Sequence, residues 1–169
     1  MKTNKLFMLL IFFIGSISLA SAQKFGYVNT QELLAGLPEV KEAESTLETF
    51  KTQLEKQYQS RIKTLQDKYQ TLQRQQDNGE LSPKQLEIEA QKLKAEETQL
   101  GQFSTESQQK IMEKTNLLLG PIQEKIKTAI NSVATEGGYS YIFDYSLGVI
   151  LYADEATNVG DQVKAKLNM

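Results

Sequence analysis

The sequence predicts a mainly helical α+β fold in which a long antiparallel helical hairpin, the arm, is attached to a small β body. Three observations predict it. Two long stretches, residues 38–76 and 83–136, carry apolar residues at steps of three and four, the spacing of one face of a helix. A single turn-forming run, Asp77-Asn78-Gly79-Glu80-Leu81-Ser82-Pro83, separates them. Short aromatic and β-branched segments stand before the first stretch and after the second, where they predict strands.

In chain order, the first feature is an export signal. Lys2 and Lys5 precede an apolar run from Leu6 to Ile14, and the small-residue triplet Ala20-Ser21-Ala22 follows, so cleavage is expected after residue 22. The apolar run is diluted by Gly15, Ser16 and Ser18 and falls short of the roughly 20 residues a spanning helix needs. Of 19 basic residues, removal of Lys2 and Lys5 leaves 17 against 21 acidic ones. That acidic balance argues against nucleic acid or an anionic membrane as general partners. The chain has no Cys, so no disulfide framework supports it. A small elongated domain must then gain stability from packing, and association of chains is the simplest source.

Residues 24–28 form a predicted strand that ends at Asn29, which with Glu32 makes a capping box for a short helix over 30–35. Gly36 closes that helix, and Pro38 opens the next as its first residue. The helix over 38–76 would be roughly 60 Å long at 1.5 Å per residue. Its apolar stripe, including Val40, Leu47, Phe50, Leu54, Tyr58, Tyr69 and Leu72, is narrow. Ser82, Pro83 and Gln85 supply the cap, first position and capping box of the second long helix. Two long amphipathic helices joined by a tight turn fold back antiparallel. Pro121 is expected to kink the second helix or free one carbonyl. Apolar density rises after it through Ile122, Ile126, Ala129, Ile130 and Val133, which marks the part that meets a core. Gly137-Gly138 ends the helix.

Residues 139–145 and 149–152 are two further predicted strands, and Ser146-Leu147-Gly148 reads as a three-residue hairpin loop between them. They are apolar at nearly every position, so both faces need cover. The last helix, with Val159, Val163 and Leu167 at four-residue steps, provides some, and other copies of the same sheet are expected to provide the rest. The expected organisation is therefore a signal over 1–22, a body built from 23–37 and 120–169, and an arm over 38–119 with its tip near 77–83. Phe25, Tyr27, Val28, Ile142, Phe143, Val149 and Leu151 are the candidate oligomerisation residues of the body.

Catalysis is not expected. Without His or Cys the chain lacks the usual general base, the thiol nucleophile and most transition-metal ligands, and no cofactor motif is present. Asp144 and Asp154 flank the terminal segment, and a strand-end residue and a turn residue explain them without chemistry. On the arm, Phe50, Tyr58, Tyr69, Leu72 and Phe103 are candidates for contact with an unfolded polypeptide, since aromatic rings offer apolar area at little entropic cost. The same spacing is first of all a helix seam. Leu81 lies at the turn, where packing partners run out, and is a stronger candidate.

The chain resembles the Skp, or OmpH-like, family of periplasmic outer-membrane-protein chaperones. The residues that carry the resemblance are Phe25-Gly26-Tyr27-Val28-Asn29-Thr30-Gln31-Glu32-Leu33-Leu34, then Leu37-Pro38-Glu39-Val40, and after the arm Pro121-Ile122-Gln123-Glu124-Lys125-Ile126, Ala129-Ile130, Gly138-Tyr139, Ile142-Phe143-Asp144 and Val149-Ile150-Leu151-Tyr152-Ala153. The resemblance implies a homotrimer whose strands build a central barrel and whose three arms enclose a cavity. Unfolded outer-membrane proteins would be held there without ATP, in the periplasm. Two departures stand out. Some members carry cationic arm tips suited to lipopolysaccharide or anionic membranes, whereas this tip sets Arg74 and Lys84 against Asp77 and Glu80, which argues against such contact. The family's last helix usually opens on Thr, and Gly160 stands there; Gly is expected to serve as the cap. The competing reading is a structural coiled-coil spacer of the envelope, which would require long strict heptads; the apolar pattern here drifts and breaks at Asn78-Gly79.

Overall fold

A computed structural model of the protein describes residues 23–169; the expected signal segment, residues 1–22, lies outside the described residues. Strand β1 (Lys24–Val28) leads into the short helix α1 (Thr30–Gly36), followed by the long helices α2 (Pro38–Asp77) and α3 (Pro83–Gly137). Strand β2 (Tyr139–Asp144), a 3-10 turn (Tyr145–Leu147), a second 3-10 turn (Glu155–Thr157) and helix α4 (Gly160–Leu167) complete the chain. The helical hairpin on a small strand body is the fold the periodicity predicts.

Local chemistry sets most of the boundaries. Asn29 Oδ1 accepts the Glu32 amide at 3.2 Å and starts α1. At the arm tip, α2 stops at Asn78, Gly79 takes φ +67, and Glu80 N–H donates back to Gln75 O. Ser82 and Gln85 then form the reciprocal capping box that starts α3. Helix α3 ends where Gly138, at φ 67 and ψ 31, turns left-handed, a conformation that costs any L residue with a Cβ more than it costs Gly.

Helix α3 runs on through Pro121, whose ring removes one N–H donor and frees the Leu117 carbonyl, the second of the two outcomes expected there, and the buried residues Ile122 and Ile126 just beyond hold the helix to the core. Two expectations are corrected. Residues 139–145 and 149–152 do not form a hairpin. Instead β2 pairs in parallel with β1, Phe25 opposite Tyr141 and Val28 opposite Asp144, and the Asp144 carboxylate captures the Ser146 amide at 2.9 Å, which starts a 3-10 turn rather than a return strand. Gly160 is not the cap of α4 but its first residue; Val159 stands at the cap position without a side-chain cap bond, and Asn158 Oδ1, one residue earlier, accepts the Gly160 amide at 2.8 Å.

The core lies in the body. Val28, Leu33, Leu37, Val159 and Val163 are the most deeply buried large side chains, and α3 contributes Ile122, Ile126, Ala129 and Val133. Tyr139 packs on this core between two glycines: a Cβ on Gly137 would meet its ring at 2.4 Å and one on Gly26 at 3.1 Å. The register shifts beside Ser140, since Lys24 faces Tyr139 but Phe25 faces Tyr141. Such a bulge resets the alternation of faces, and Tyr139 turns inward while Tyr141 stays outside. Lys24 bridges the sheet and the end of α3, with Nζ donating to Gly137 O at 2.9 Å and lying 4.0 Å from the Tyr139 ring centre. Exposed ion pairs Glu32–Lys164 and Glu136–Lys166 tie α4 to its neighbours, and solvent screening keeps their contribution small.

The arm is much thinner. Among its described residues beyond the core cluster only Leu54, Leu93 and Phe103 are buried. At Phe103 the Arg61 guanidinium lies 4.2 Å from the ring centre. Next to it a groove of about 240 Å³ opens between the helices, lined by Ser60, Arg61, Thr64, Leu65, Glu96, Gln99 and Leu100. The seam is therefore half polar, and Lys68 bridges it to Glu96.

Candidate functional site

The body has one apolar side that no other described residue covers. Pleating sends Gly26, Val28 and Ile142 inward and Phe25, Tyr141 and Phe143 outward. The three outward rings form a cluster with centre separations of 6.0, 6.2 and 6.1 Å, spacings at which aromatic rings attract. Tyr27, half-buried, packs on Tyr145 at 5.4 Å. At the end of the 3-10 turn and beyond it, Leu147, Val149, Leu151 and Tyr152 are all more than two-thirds exposed, Leu151 at 95%. A groove of about 310 Å³ between this segment and β1 is lined by Phe25, Tyr27, Phe143, Ile150 and Tyr152. A contiguous apolar surface of this kind on a small domain marks an interaction site.

The predicted body residues fall on two sides of the sheet. Phe25, Phe143, Val149 and Leu151 lie on the open side, with Tyr27 at its margin. Val28, 2% exposed, and Ile142, which packs on the core, point into their own chain; they support the surface from behind. Tyr141, Tyr145, Leu147 and Tyr152 belong to the open side and were not singled out from the sequence. The period-two pattern running from Phe143 contains the signal for Tyr141 and Tyr145.

Asp144 fixes the geometry of this side. Its carboxylate accepts from the Thr30 amide at 3.2 Å, the Thr30 hydroxyl at 2.6 Å and the Ser146 amide at 2.9 Å. Partial burial raises its pKa, but the hydrogen bonds from Thr30 and Ser146 outweigh that and hold it below the ordinary value of 3.8. It therefore stays ionised at neutral pH. Asp154 has the plainer role of accepting the Ala156 amide at 3.0 Å within the second 3-10 turn. Among the described residues no three or more His, Cys, Asp or Glu side chains gather into a metal-binding group.

On the arms, Phe50, Tyr58, Leu72 and Leu81 are half-buried, Tyr69 is exposed, and Phe103 is sealed in the seam at 7% exposure. The structure adds Ile88, Met112 and Leu117 as exposed apolar side chains off the seam. Leu117 begins the run Leu117-Leu118-Leu119, and three consecutive helical residues cannot all face one partner; that run is the sequence signal for an outward leucine.

A small β body with a broad open apolar side, carrying a long helical hairpin, is the architecture of the described residues. The description "Outer membrane protein (OmpH-like)" belongs to the family whose sequence pattern matches residues 24–167, and the chain is a member of that family. A solved chain from Caulobacter crescentus CB15, described as a candidate outer membrane chaperone (OmpH-like), shares the fold with a TM-score of 0.72 at 16% identity, covering 86% of this chain and 84% of that one. No curated protein matches the chain.

Proposed function

We propose that the protein is an ATP-independent periplasmic holdase, a homotrimer whose arms surround unfolded outer-membrane proteins and keep them from aggregating. The observation that carries this reading is the contrast between the two halves of the molecule. The body presents one large continuous apolar surface suited to a permanent partner, whereas the arms present isolated apolar side chains, Tyr69, Ile88, Met112 and Leu117, set among charged and amide residues. Many weak, separate contacts suit a client without fixed structure. Family membership and the fold shared with the Caulobacter chain support the same reading.

In this reading Phe25, Phe143, Val149 and Leu151 meet other subunits, with Val28 and Ile142 behind them, and the half-buried Phe50, Tyr58, Leu72 and Leu81 add to the client surface together with Tyr69. Phe103 acts through the seam rather than by touching the client. Lipopolysaccharide and membrane contact form no part of the proposal, because the tip balances Arg74 and Lys84 with Asp77 and Glu80. A spacer role would call for a closely packed arm, and the half-polar seam is not one. The test is light scattering on the protein lacking residues 1–22, alone and with a urea-denatured outer-membrane barrel protein diluted in without nucleotide. A trimer that gains one soluble client supports the proposal. A monomer, or a trimer that leaves the client to precipitate, refutes it.

A further inference from the structure

We infer that Asp144 is the positioning residue of the assembly surface: by clamping the start of α1 to the corner after β2, it aims residues 147–152 at a neighbouring copy of the chain. This inference rests on the proposed trimer. The carboxylate joins groups 116 residues apart, the Thr30 amide and hydroxyl on one side and the Ser146 amide on the other. The Thr30 and Ser146 hydroxyls close the ring at 3.2 Å.

The corner has further supports. Residues Tyr145–Leu147 make one 3-10 turn, Gly148 follows at φ +68, and the Tyr145 ring packs 5.4 Å from Tyr27. These bonds tie the corner backbone to the body, and beyond Gly148 only Ile150 is partly buried among residues 149–152. Val149, Leu151 and Tyr152 are the most exposed large apolar side chains among the described residues, and they continue the aromatic patch of Phe25, Tyr141 and Phe143. A second copy is the occupant because this segment is continuous with the face proposed to assemble, and among the described residues of one chain nothing covers that face.

A corner fixed in advance matters because a wandering segment must be ordered when it docks, and ordering weakens association. The carboxylate suits this corner because both partners on the backbone are donors and it only accepts. In Asp144→Asn the charge is lost, so the bonds from the two backbone amides to Oδ1 are no longer charge-assisted, and the NH2 group that replaces Oδ2 requires the Thr30 hydroxyl to turn from donor to acceptor. The corner then spends part of its time misdirected, and apparent affinity falls with the fraction correctly aimed.

The experiment is sedimentation velocity over a dilution series at 20 °C on the wild type, Asp144→Asn and Ser82→Ala, with far-ultraviolet circular dichroism on the same samples. Ser82→Ala removes the cap of α3 at the arm tip and lowers stability away from the corner. The expected result is a trimer association constant reduced on the order of tenfold for each subunit, about a thousandfold for the three, in Asp144→Asn at unchanged helicity, with Ser82→Ala assembling like the wild type. Should Asp144→Asn lose helicity, hydrogen exchange on the folded wild type replaces it, and the Ser146 amide is then expected to be among the slowest of residues 145–152. Equal association in all three proteins, equal weakening in both variants, or fast exchange at Ser146 overturns the inference while leaving the trimer standing. A monomeric wild type removes the trimer itself.

Discussion

Replacing Phe103 with Ala tests how the arm is held together. The ring is 7% exposed, sits where α2 and α3 face each other, and carries the Arg61 guanidinium 4.2 Å from its centre. Truncation returns roughly 100 Å² of apolar area to water, about 2.5 kcal/mol at 25 cal/mol per Å². Loss of the cation–π contact adds about 0.5–1 kcal/mol. The total, about 3 kcal/mol, lies at the low end of the range for buried Phe→Ala changes, because a two-helix seam already bordered by a groove can close over the gap. The measurement is hydrogen exchange along α2 and α3 together with aggregation suppression of a denatured barrel protein. Exchange near residues 61 and 103 is expected to speed up by about a hundredfold, the equivalent of roughly 2.7 kcal/mol, while the body is unaffected. Unchanged exchange with lost suppression would refute the reasoning, because Phe103 would then act on the client directly and not through the seam.

Three further outcomes follow from the geometry. Gly137→Ala drives a Cβ to 2.4 Å from the Tyr139 ring and is expected to destabilise the body by about 1–3 kcal/mol, whereas Gly101→Ala has open space and should stabilise α3 by roughly 0.5–1 kcal/mol; urea unfolding of both variants decides it. Pro121→Ala restores the bond to the Leu117 carbonyl within a continuous helix and is expected to raise stability by about 1 kcal/mol or more, with a fall in melting temperature as the contrary result. The Asp144 carboxylate is held below its ordinary value of 3.8, so its contribution is fully present above that value and is lost as pH falls through it toward the lower folded value. The stability difference between wild type and Asp144→Asn should accordingly shrink in melts taken from pH 7 down to pH 3, and a constant difference would count against the assignment.

Much of this protein is legible in its sequence because the relevant physics is local. Periodic apolar residues set α2 and α3, Asn78-Gly79 and the Ser82–Gln85 pair set the tip, and Val159, Val163 and Leu167 set the buried face of α4. Each involves side chains within a few residues of one another, so spacing alone carries the information. The aromatic and β-branched ends likewise mark where apolar side chains gather outside the arm.

The tertiary structure decided what depends on groups far apart in the chain. Residues 139–152 satisfy the local rules of a hairpin, yet β2 takes β1 as its neighbour, more than 100 residues away, and Asp144 is drawn to Thr30 and Ser146. Which strand residues support the body and which lie open was also settled there, since the bulge at Ser140 reverses the face of Tyr139 relative to Tyr141. Local preference differs little between a hairpin and a parallel pair, so the burial of Val28, Ile142 and Tyr139 against α3 and α4 tips the balance, and that burial exists only once the whole body has closed.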